Sequence, residues 1–206
     1  MQINQKLAER NMLRLARWDG QHSGENAMPS ILAFTGEVYR GLKAPSFTAV
    51  DLDYAQSILR VLSGFYGVLR PLDLIQEHRL EMGTKYPFAG KKNLYDFWGN
   101  VITEAINTAI NESPGEKVLV NLASNEYYSS IKHKQLNCRV ITPIFKQEKG
   151  GKLQVITVYA KKARGTMARF AIKNRLAFSE ELKAFNEEGY YFDAACSTEK
   201  EWLFVR

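Results

Sequence analysis

The run Val118–Ala123, with the sequence VLVNLA, most constrains the fold, because all but one of its residues are apolar. A continuous apolar run of this length is typical of a strand that is buried on both faces of a sheet. Further strands are predicted at Arg139–Lys146, Leu153–Tyr159, Tyr190–Asp193 and Trp202–Arg206. Gly150 and Gly151 join the first two of these as a hairpin. The chain is therefore predicted to be α/β, with a mixed sheet and surrounding helices.

The remaining segments are predicted mostly as helices and loops. Apolar residues recur at near-helical spacing over Ile3–Arg17, and Thr48 with Asp51 forms a capping-box pattern at the start of a helix over Thr48–Ser63. Gly64 ends that helix, and a proline suits the first position of the next. The other predicted elements are a buried strand at Ile31–Tyr39, a helix from Pro71, a helix at Leu94–Asn111 and a basic helix that begins near Thr166, or as early as Lys161.

Length and composition favour one domain. A chain of 206 residues with 45% hydrophobic content can bury one sizeable core, and no linker, repeat or low-complexity segment divides it. The net charge of +6 permits nucleic-acid binding without requiring it. Two cysteines do not form a disulfide framework, and no apolar run approaches the ~20 residues that span a bilayer. We expect a cytoplasmic monomer without a membrane segment, metal or cofactor.

The segment Tyr159–Arg175 is the strongest indication of function. It holds six cations and no carboxylate, namely Lys161, Lys162, Arg164, Arg169, Lys173 and Arg175. Because like charges on one helix repel, a partner outside the helix is expected to compensate them, and nucleic acid is the commonest polyanion. On a helix, Lys161 and Arg164 share one stripe with Arg175, and the other three form a second stripe. The alternative is a basic surface helix whose stems cover apolar surface.

A second candidate lies at Gly64–Val68, between two predicted helices. Glycines allow a backbone to approach a phosphate closely, and a following helix would offer unpaired N–H groups. The segment is therefore predicted to be a helix-hairpin-helix element, with candidate nucleic-acid contacts at Gly64, Tyr66, Gly67 and Arg70. The alternative is a capping glycine followed by a packed turn.

A third candidate follows the apolar strand. Ligands collect at the carboxyl ends of strands in open α/β sheets, and five polar side chains stand there: Asn121, Ser124, Asn125, Glu126 and Tyr127. Asn and Ser at this place could equally cap a following helix. No catalytic residue is assigned, but Glu126 is a possible general acid or base. An alternative function is therefore an enzyme that acts on a nucleotide or a damaged base, with Lys161 or Lys162 holding phosphate.

Five motifs resemble the bacterial YaaA family of peroxide-stress proteins. They lie in the family's order over essentially the whole chain, at Leu62–Asp73, His78–Gly83, Asn121–Tyr127, Tyr159–Gly165 and Glu188–Asp193. The resemblance implies a single α/β domain over residues 1–206 with a positively charged cleft, which Lys161, Lys162 and Arg164 line by position. It also implies a helix-hairpin-helix element at Gly64–Arg70.

The resemblance further implies a cytoplasmic protein that binds double-stranded DNA, largely independently of sequence, during hydrogen peroxide stress. Such a protein limits oxidative DNA damage and lowers free intracellular iron. The paired Glu-x-x-His helices of a ferritin-like store are absent from the sequence, so we expect any iron effect to be indirect. Family members open with a strand and a Ser-Pro-Ala-Lys segment that this sequence lacks. We therefore expect a missing N-terminal portion, with an incomplete sheet edge and cleft wall.

Overall fold

A computed structural model describes residues 5–85, 87 and 90–206, which form a mixed α/β structure. In the first part of the chain the elements are helix α1 (Gln5–Arg17), strand β1 (Met28–Pro29), helices α2 (Ser30–Ala33), α3 (Glu37–Leu42) and α4 (Ala49–Ile58), and strands β2 (Val61–Ser63), β3 (Gly67–Leu69) and β4 (Leu74–Ile75). They are followed by helices α5 (Leu94–Trp98) and α6 (Val101–Glu112), strand β5 (Val118–Val120), helix α7 (Asn125–Tyr128), strands β6 (Arg139–Lys149) and β7 (Lys152–Gln154), helix α8 (Thr157–Lys173), and strands β8 (Tyr191–Asp193) and β9 (Glu201–Val205). Short 3-10 helices lie at 44–46, 133–135, 179–184 and 187–189.

The main sheet has five strands and confirms the prediction of a mixed sheet. Its order is β5-β6-β9-β8, and β7 pairs with the far end of β6. The β5–β6 and β6–β9 pairs are parallel, whereas β8 runs antiparallel to β9 and β7 antiparallel to β6. Two small antiparallel pairs, β1–β4 and β2–β3, stand apart from this sheet.

Two apolar clusters cover the sheet. One joins α8 and the 3-10 helix at 179–184 to the central strands, with Phe145, Met167 and Phe204 almost fully buried. The other is built on α6, where Ile102, Ile106 and Ile110 form one apolar stripe and Leu119 of β5 packs against it. The sheet is therefore a middle layer between helices, as expected for strands in parallel pairs.

Helices α3 and α8 cross with their backbones in contact. A Cβ atom on Gly41 would overlap the carbonyl oxygen of Lys162, and one on Gly165 would overlap that of Val38. Only glycine fits at such a crossing, because any side chain would push the two helices apart. The contact fixes α8 against α3, and with it the side chains that α8 presents.

The capping box predicted at Thr48 is confirmed. The backbone N–H of Thr48 donates to Asp51 Oδ2 at 2.9 Å, and that of Asp51 donates to Thr48 Oγ1 at 3.3 Å. The helix is shorter than predicted, since it ends at Ile58 and Val61–Ser63 is a strand. The predicted helix at Leu94–Asn111 is divided into α5 and α6 at Gly99, whose φ is +52°.

Two element predictions were wrong in type. Residues Ile31–Tyr39 were predicted as a strand, but they lie in α2, in α3 and in the connection 34–36 between them, where Gly36 has φ +120°. Residues Thr157–Tyr159 were predicted to end a strand but begin α8, so the basic helix starts earlier than expected. At the first place a short, partly buried apolar run forms helices rather than a strand, which periodicity alone does not distinguish. At the second place Val158 and Tyr159 are exposed on α8.

The predicted helix-hairpin-helix element at Gly64–Val68 was also wrong, because the segment is the turn of a β-hairpin. Strands β2 and β3 flank it, with Ser63 opposite Gly67 in the register. Ser63 Oγ accepts hydrogen bonds from the backbone N–H groups of Phe65 and Tyr66, each at 3.2 Å, and so stabilises a turn between strands. Pro71 begins a turn that leads into β4, instead of a helix.

Candidate functional site

A cavity of about 1020 Å³ lies beside β5, between the helix layers. Its apolar walls are supplied by Ile106 and Ile110 of α6, Val120 of β5, and Met167 and Ala171 of α8. The polar lining comes from the segment 121–127, from α8 and from the residues around α3. Within the described residues, no helix is both long and apolar enough to cross a membrane.

Two of the six predicted cations of the basic segment line this cavity. Lys161 is exposed, whereas Arg164, one turn further along α8, is half-buried. Neither has an ion pair or side-chain hydrogen bond among the described residues. Burial lowers the pKa of Arg164, and no carboxylate acts in the opposite direction. The structure therefore holds a partly desolvated guanidinium without an internal counter-ion, which is a costly arrangement unless a ligand supplies one.

The other four cations of the segment have partners within the fold. Lys162 forms an ion pair with Glu188 at 2.6 Å, outside the cavity. Lys173 and Arg175 both contact Asp51, at 2.8 and 3.2 Å. Arg169 donates to Ser46 Oγ at 2.8 Å and lies over the ring of Phe47, 5.3 Å from its centroid. The basic segment is thus divided between structural contacts and the Lys161–Arg164 pair.

The predicted contacts in the hairpin have roles within the fold. Gly64 and Gly67 are buried, and a Cβ atom on them would meet the Leu80 carbonyl oxygen at 2.5 Å and the Trp98 ring at 2.9 Å. The hydroxyl of Tyr66 accepts a hydrogen bond from Gln76 N at 3.1 Å. Arg70 is exposed and pairs with Asp73 at 3.2 Å. None of the four belongs to the lining of the cavity beside β5.

All five polar residues predicted after the apolar strand line the cavity. Asn121 is buried, and its Oδ1 accepts a hydrogen bond from Ala123 N at 3.1 Å. Ser124 occupies the position before α7, but its side chain makes no capping hydrogen bond. Tyr127 is half-buried, and burial raises the pKa of its phenol. The side chains of Ser124 and Asn125 have no partner among the described residues.

The alternative enzymatic hypothesis depends on Glu126, which is held in a defined position. Its Oε1 accepts a hydrogen bond from Gly83 N at 2.8 Å, and its carbonyl oxygen accepts one from Tyr95 OH at 3.0 Å. Glu126 and Lys161 line the same cavity, while Lys162 is turned to Glu188. Of the two lysines proposed to hold a phosphate, only Lys161 is therefore close to this carboxylate's cavity.

The sequence did not indicate several residues of the cavity. Phe34 and Tyr39 belong to the segment that was predicted as a buried strand, and their stacked rings line the cavity with centroids 5.4 Å apart. Arg60 also lines it, and its guanidinium donates to the carbonyl oxygens of Gln56 and Leu59. A signal was present in Gly36, which stands immediately before α3, but the apolar run outweighed it.

The comparison with known protein families identifies the chain's relatives. Residues 1–196 match the family model described as "Peroxide stress protein YaaA". The chain belongs to the YaaA family. As a YaaA-family peroxide stress protein, it carries the family motifs at the places described above: Asn121–Tyr127 lines the cavity, and Tyr159–Gly165 is the first half of α8.

Neither cysteine of this YaaA-family protein is suited to fast reaction with peroxide, which attacks the thiolate. Burial raises the pKa of Cys138, and a hydrogen bond with Asp193 raises that of Cys196. Asp193→Asn is expected to lower the pKa of Cys196 and to increase its rate of peroxide oxidation several-fold, measured by mass spectrometry. Glu199→Gln, which removes an exposed charge three residues further along the chain, is the control. An unchanged rate in the Asp193 variant would contradict this assignment.

Proposed function

We propose that the protein binds duplex DNA, largely independently of sequence, through an interface centred on Lys161 and Arg164. The single observation that carries this proposal is that Lys161 and Arg164, three residues apart on α8, have no partner in the part of the chain that the structure describes, while Arg164 is half-buried. Phosphate groups of DNA would supply the missing counter-charge, since a guanidinium binds phosphate through two parallel hydrogen bonds. Membership of a peroxide-stress family supports the biological setting.

The charges around the cavity favour an anion. Arg60, Lys161 and Arg164 line it, and three of its four carboxylates are engaged by arginines, in the pairs Glu37–Arg40, Glu81–Arg79 and Glu116–Arg139. Glu126 is the fourth, and its bond is to a backbone N–H. Paired carboxylates contribute little field at a distance, so the unpaired cations dominate the mouth of the cleft. A positively charged cleft is therefore part of the proposal.

Occupancy of DNA would limit oxidative damage by shielding the backbone from the solvent in which radicals form. A lowered level of free intracellular iron would then be an indirect, cellular effect. This proposal centres binding on α8, and it does not depend on the glycine hairpin.

The proposal predicts a modest salt dependence. Two free cations that each neutralise one phosphate give a log–log slope of about −1.8, so affinity for a duplex should fall by roughly tenfold between 50 and 200 mM salt. The double substitution Lys161→Ala/Arg164→Ala is expected to abolish most of this slope. Fluorescence anisotropy of a labelled duplex across a salt series measures both quantities.

The matched control is Lys152→Ala, which removes an exposed charge from β7 at the far end of β6. It should leave both the affinity and the slope close to those of the unaltered protein. Duplex binding that does not respond to salt, or a double variant that binds as well as the control, would contradict the proposal. A slope near −3.6 would instead indicate about four phosphate contacts. Some of the cations that have partners within the fold would then contact DNA as well.

A further inference from the structure

The cavity has the size and the mixed lining of a small-molecule site. Such sites span about 300–1,000 Å³ and combine apolar walls with a few polar groups that fix orientation. At about 1020 Å³ this cavity lies just above that range. A flat contact with the outside of a duplex would not require it. Its interior is therefore a feature that binding to the DNA backbone leaves unexplained.

Four donor groups that line the cavity have no partner among the described residues. They are the ammonium of Lys161, the guanidinium of Arg164, the hydroxyl of Ser124 and the side-chain amide of Asn125. The two cations can only donate hydrogen bonds, and the hydroxyl and amide can also donate. Two cations that only donate, together with a hydroxyl and an amide that can donate, are suited to an oxyanion with several oxygen atoms. Phosphate is an oxyanion that a guanidinium binds through two parallel hydrogen bonds and that an ammonium also binds.

Aromatic side chains line the same cavity. The rings of Phe34 and Tyr39 are stacked, with an interplanar angle of 22°, and Tyr127 lies near enough to Tyr39 to raise its pKa. Burial is the larger cause of that rise, so Tyr39 remains a neutral phenol and does not repel an anion. A nucleobase stacks on aromatic rings of this kind in proteins that bind single strands.

We propose that the cavity binds a single nucleotide, with its phosphate on Lys161, Arg164, Ser124 and Asn125 and its base against Phe34, Tyr39 and Tyr127. The inference deepens the proposed function, and it rests on that function for the cationic contacts. The nucleotide can come from two sources with the same chemistry. It is either a free mononucleotide or an unstacked nucleotide within a DNA strand.

The first test uses the full chain and three probes. Calorimetric titration with dAMP, deoxyadenosine and inorganic phosphate separates the nucleotide from its two parts. We expect dAMP to bind at least tenfold more tightly than either part, because only dAMP occupies both regions of the cavity. If inorganic phosphate binds as tightly as dAMP, or if dAMP does not bind, the inference is overturned.

Substitutions at Asn125 test where the phosphate binds. Asn125 is exposed, and Asn125→Asp introduces a carboxylate among the four donors without disturbing the core. It should weaken dAMP binding by tenfold or more, whereas Asn125→Ala should weaken it by less, with both variants melting near the unaltered temperature. Equal binding by the unaltered protein and Asn125→Asp would overturn the assignment of this residue and of the phosphate position.

A competition experiment identifies the source. Two labelled duplexes are compared, one fully paired and one with a single unpaired nucleotide. Tighter binding of the second, with displacement by dAMP, supports a nucleotide within DNA. Equal binding of the two, with dAMP binding retained, supports a free nucleotide. Absence of dAMP binding overturns the inference, while salt-dependent binding of the paired duplex would leave the proposed function standing.

Discussion

Replacement of Gly165 by alanine is expected to destabilise the protein by roughly 3 kcal/mol, and to lower Tm by about 10 °C. A Cβ atom at this position overlaps the carbonyl oxygen of Val38 and lies 2.8 Å from the amide nitrogen of Leu42. Both neighbours are backbone atoms of α3, so neither can rotate away, and the two helices must separate. Gly165 adjoins Arg164, and separation of the helices would also displace the cation on which the proposed interface depends.

Helix propensity alone predicts the opposite sign for this substitution. Gly165 lies in the interior of α8, where alanine stabilises an isolated helix by about 1 kcal/mol relative to glycine. Gly24→Ala is the matched control, since a Cβ atom there has no neighbour within 4 Å and the change should stay within about 0.5 kcal/mol. Urea denaturation of both variants measures the difference. A Gly165→Ala protein as stable as the control would show that α3 and α8 do not cross at this distance.

The correct parts of the fold prediction depended on residues that are close together in the sequence. Thr48 and Asp51 are three residues apart, and a capping box needs no information from the rest of the chain. The hairpin at Gly150-Gly151 was equally local, and the strands on either side of it pair as expected. The incorrect elements depended on distant residues. Part of Ile31–Tyr39 belongs to α3, on which α8 packs from more than a hundred residues later in the chain.

The hairpin at Gly64–Val68 is a second case in which the sequence could not identify a contact with distant residues. Its two glycines were correctly identified as places where the backbone is approached closely. The approaching groups are the carbonyl of Leu80 and the indole of Trp98, which belong to the same chain. A glycine pattern indicates that another group lies close to the backbone. Only the tertiary structure shows which group it is.

The candidate site divides in the same way. Helical periodicity placed Lys161 and Arg164 on one stripe, and both line the cavity. The sequence could not show that Lys173 pairs with Asp51, which is 122 residues away, or that Lys162 pairs with Glu188. From a run of cations in the sequence one can count the charges on a helix. Only the surrounding fold determines which of them stay available for a ligand.

Asp51 pairs with two of the six cations of the basic segment, and its replacement should also destabilise the protein strongly. Its side chain is only 3% exposed and contacts both Lys173 and Arg175, while it also accepts the N–H of Thr48 at the start of α4. Asp51→Asn is expected to lower Tm by on the order of 10 °C at pH 7, because two cations lose their shared counter-ion at a buried position. Thermal melting followed by circular dichroism measures the change.

The acid dependence of stability gives this prediction a second, independent measurement. The hydrogen bond from Lys173, and after it the one from Thr48 N–H, holds the pKa of Asp51 well below its ordinary value. A carboxyl whose pKa is lowered by folding stabilises the protein above its unfolded pKa of about 3.9, and this contribution is lost as the pH falls towards the folded pKa. The gap in Tm between the unaltered protein and Asp51→Asn should therefore be full above about pH 5 and shrink below about pH 4.

Asp53→Asn makes the same charge change at an exposed position of α4, and its Tm should follow the unaltered protein at every pH. A gap for Asp51→Asn that stays constant down to pH 3 would mean that this carboxylate does not hold the two cations, which would then be free to bind DNA beside Lys161 and Arg164.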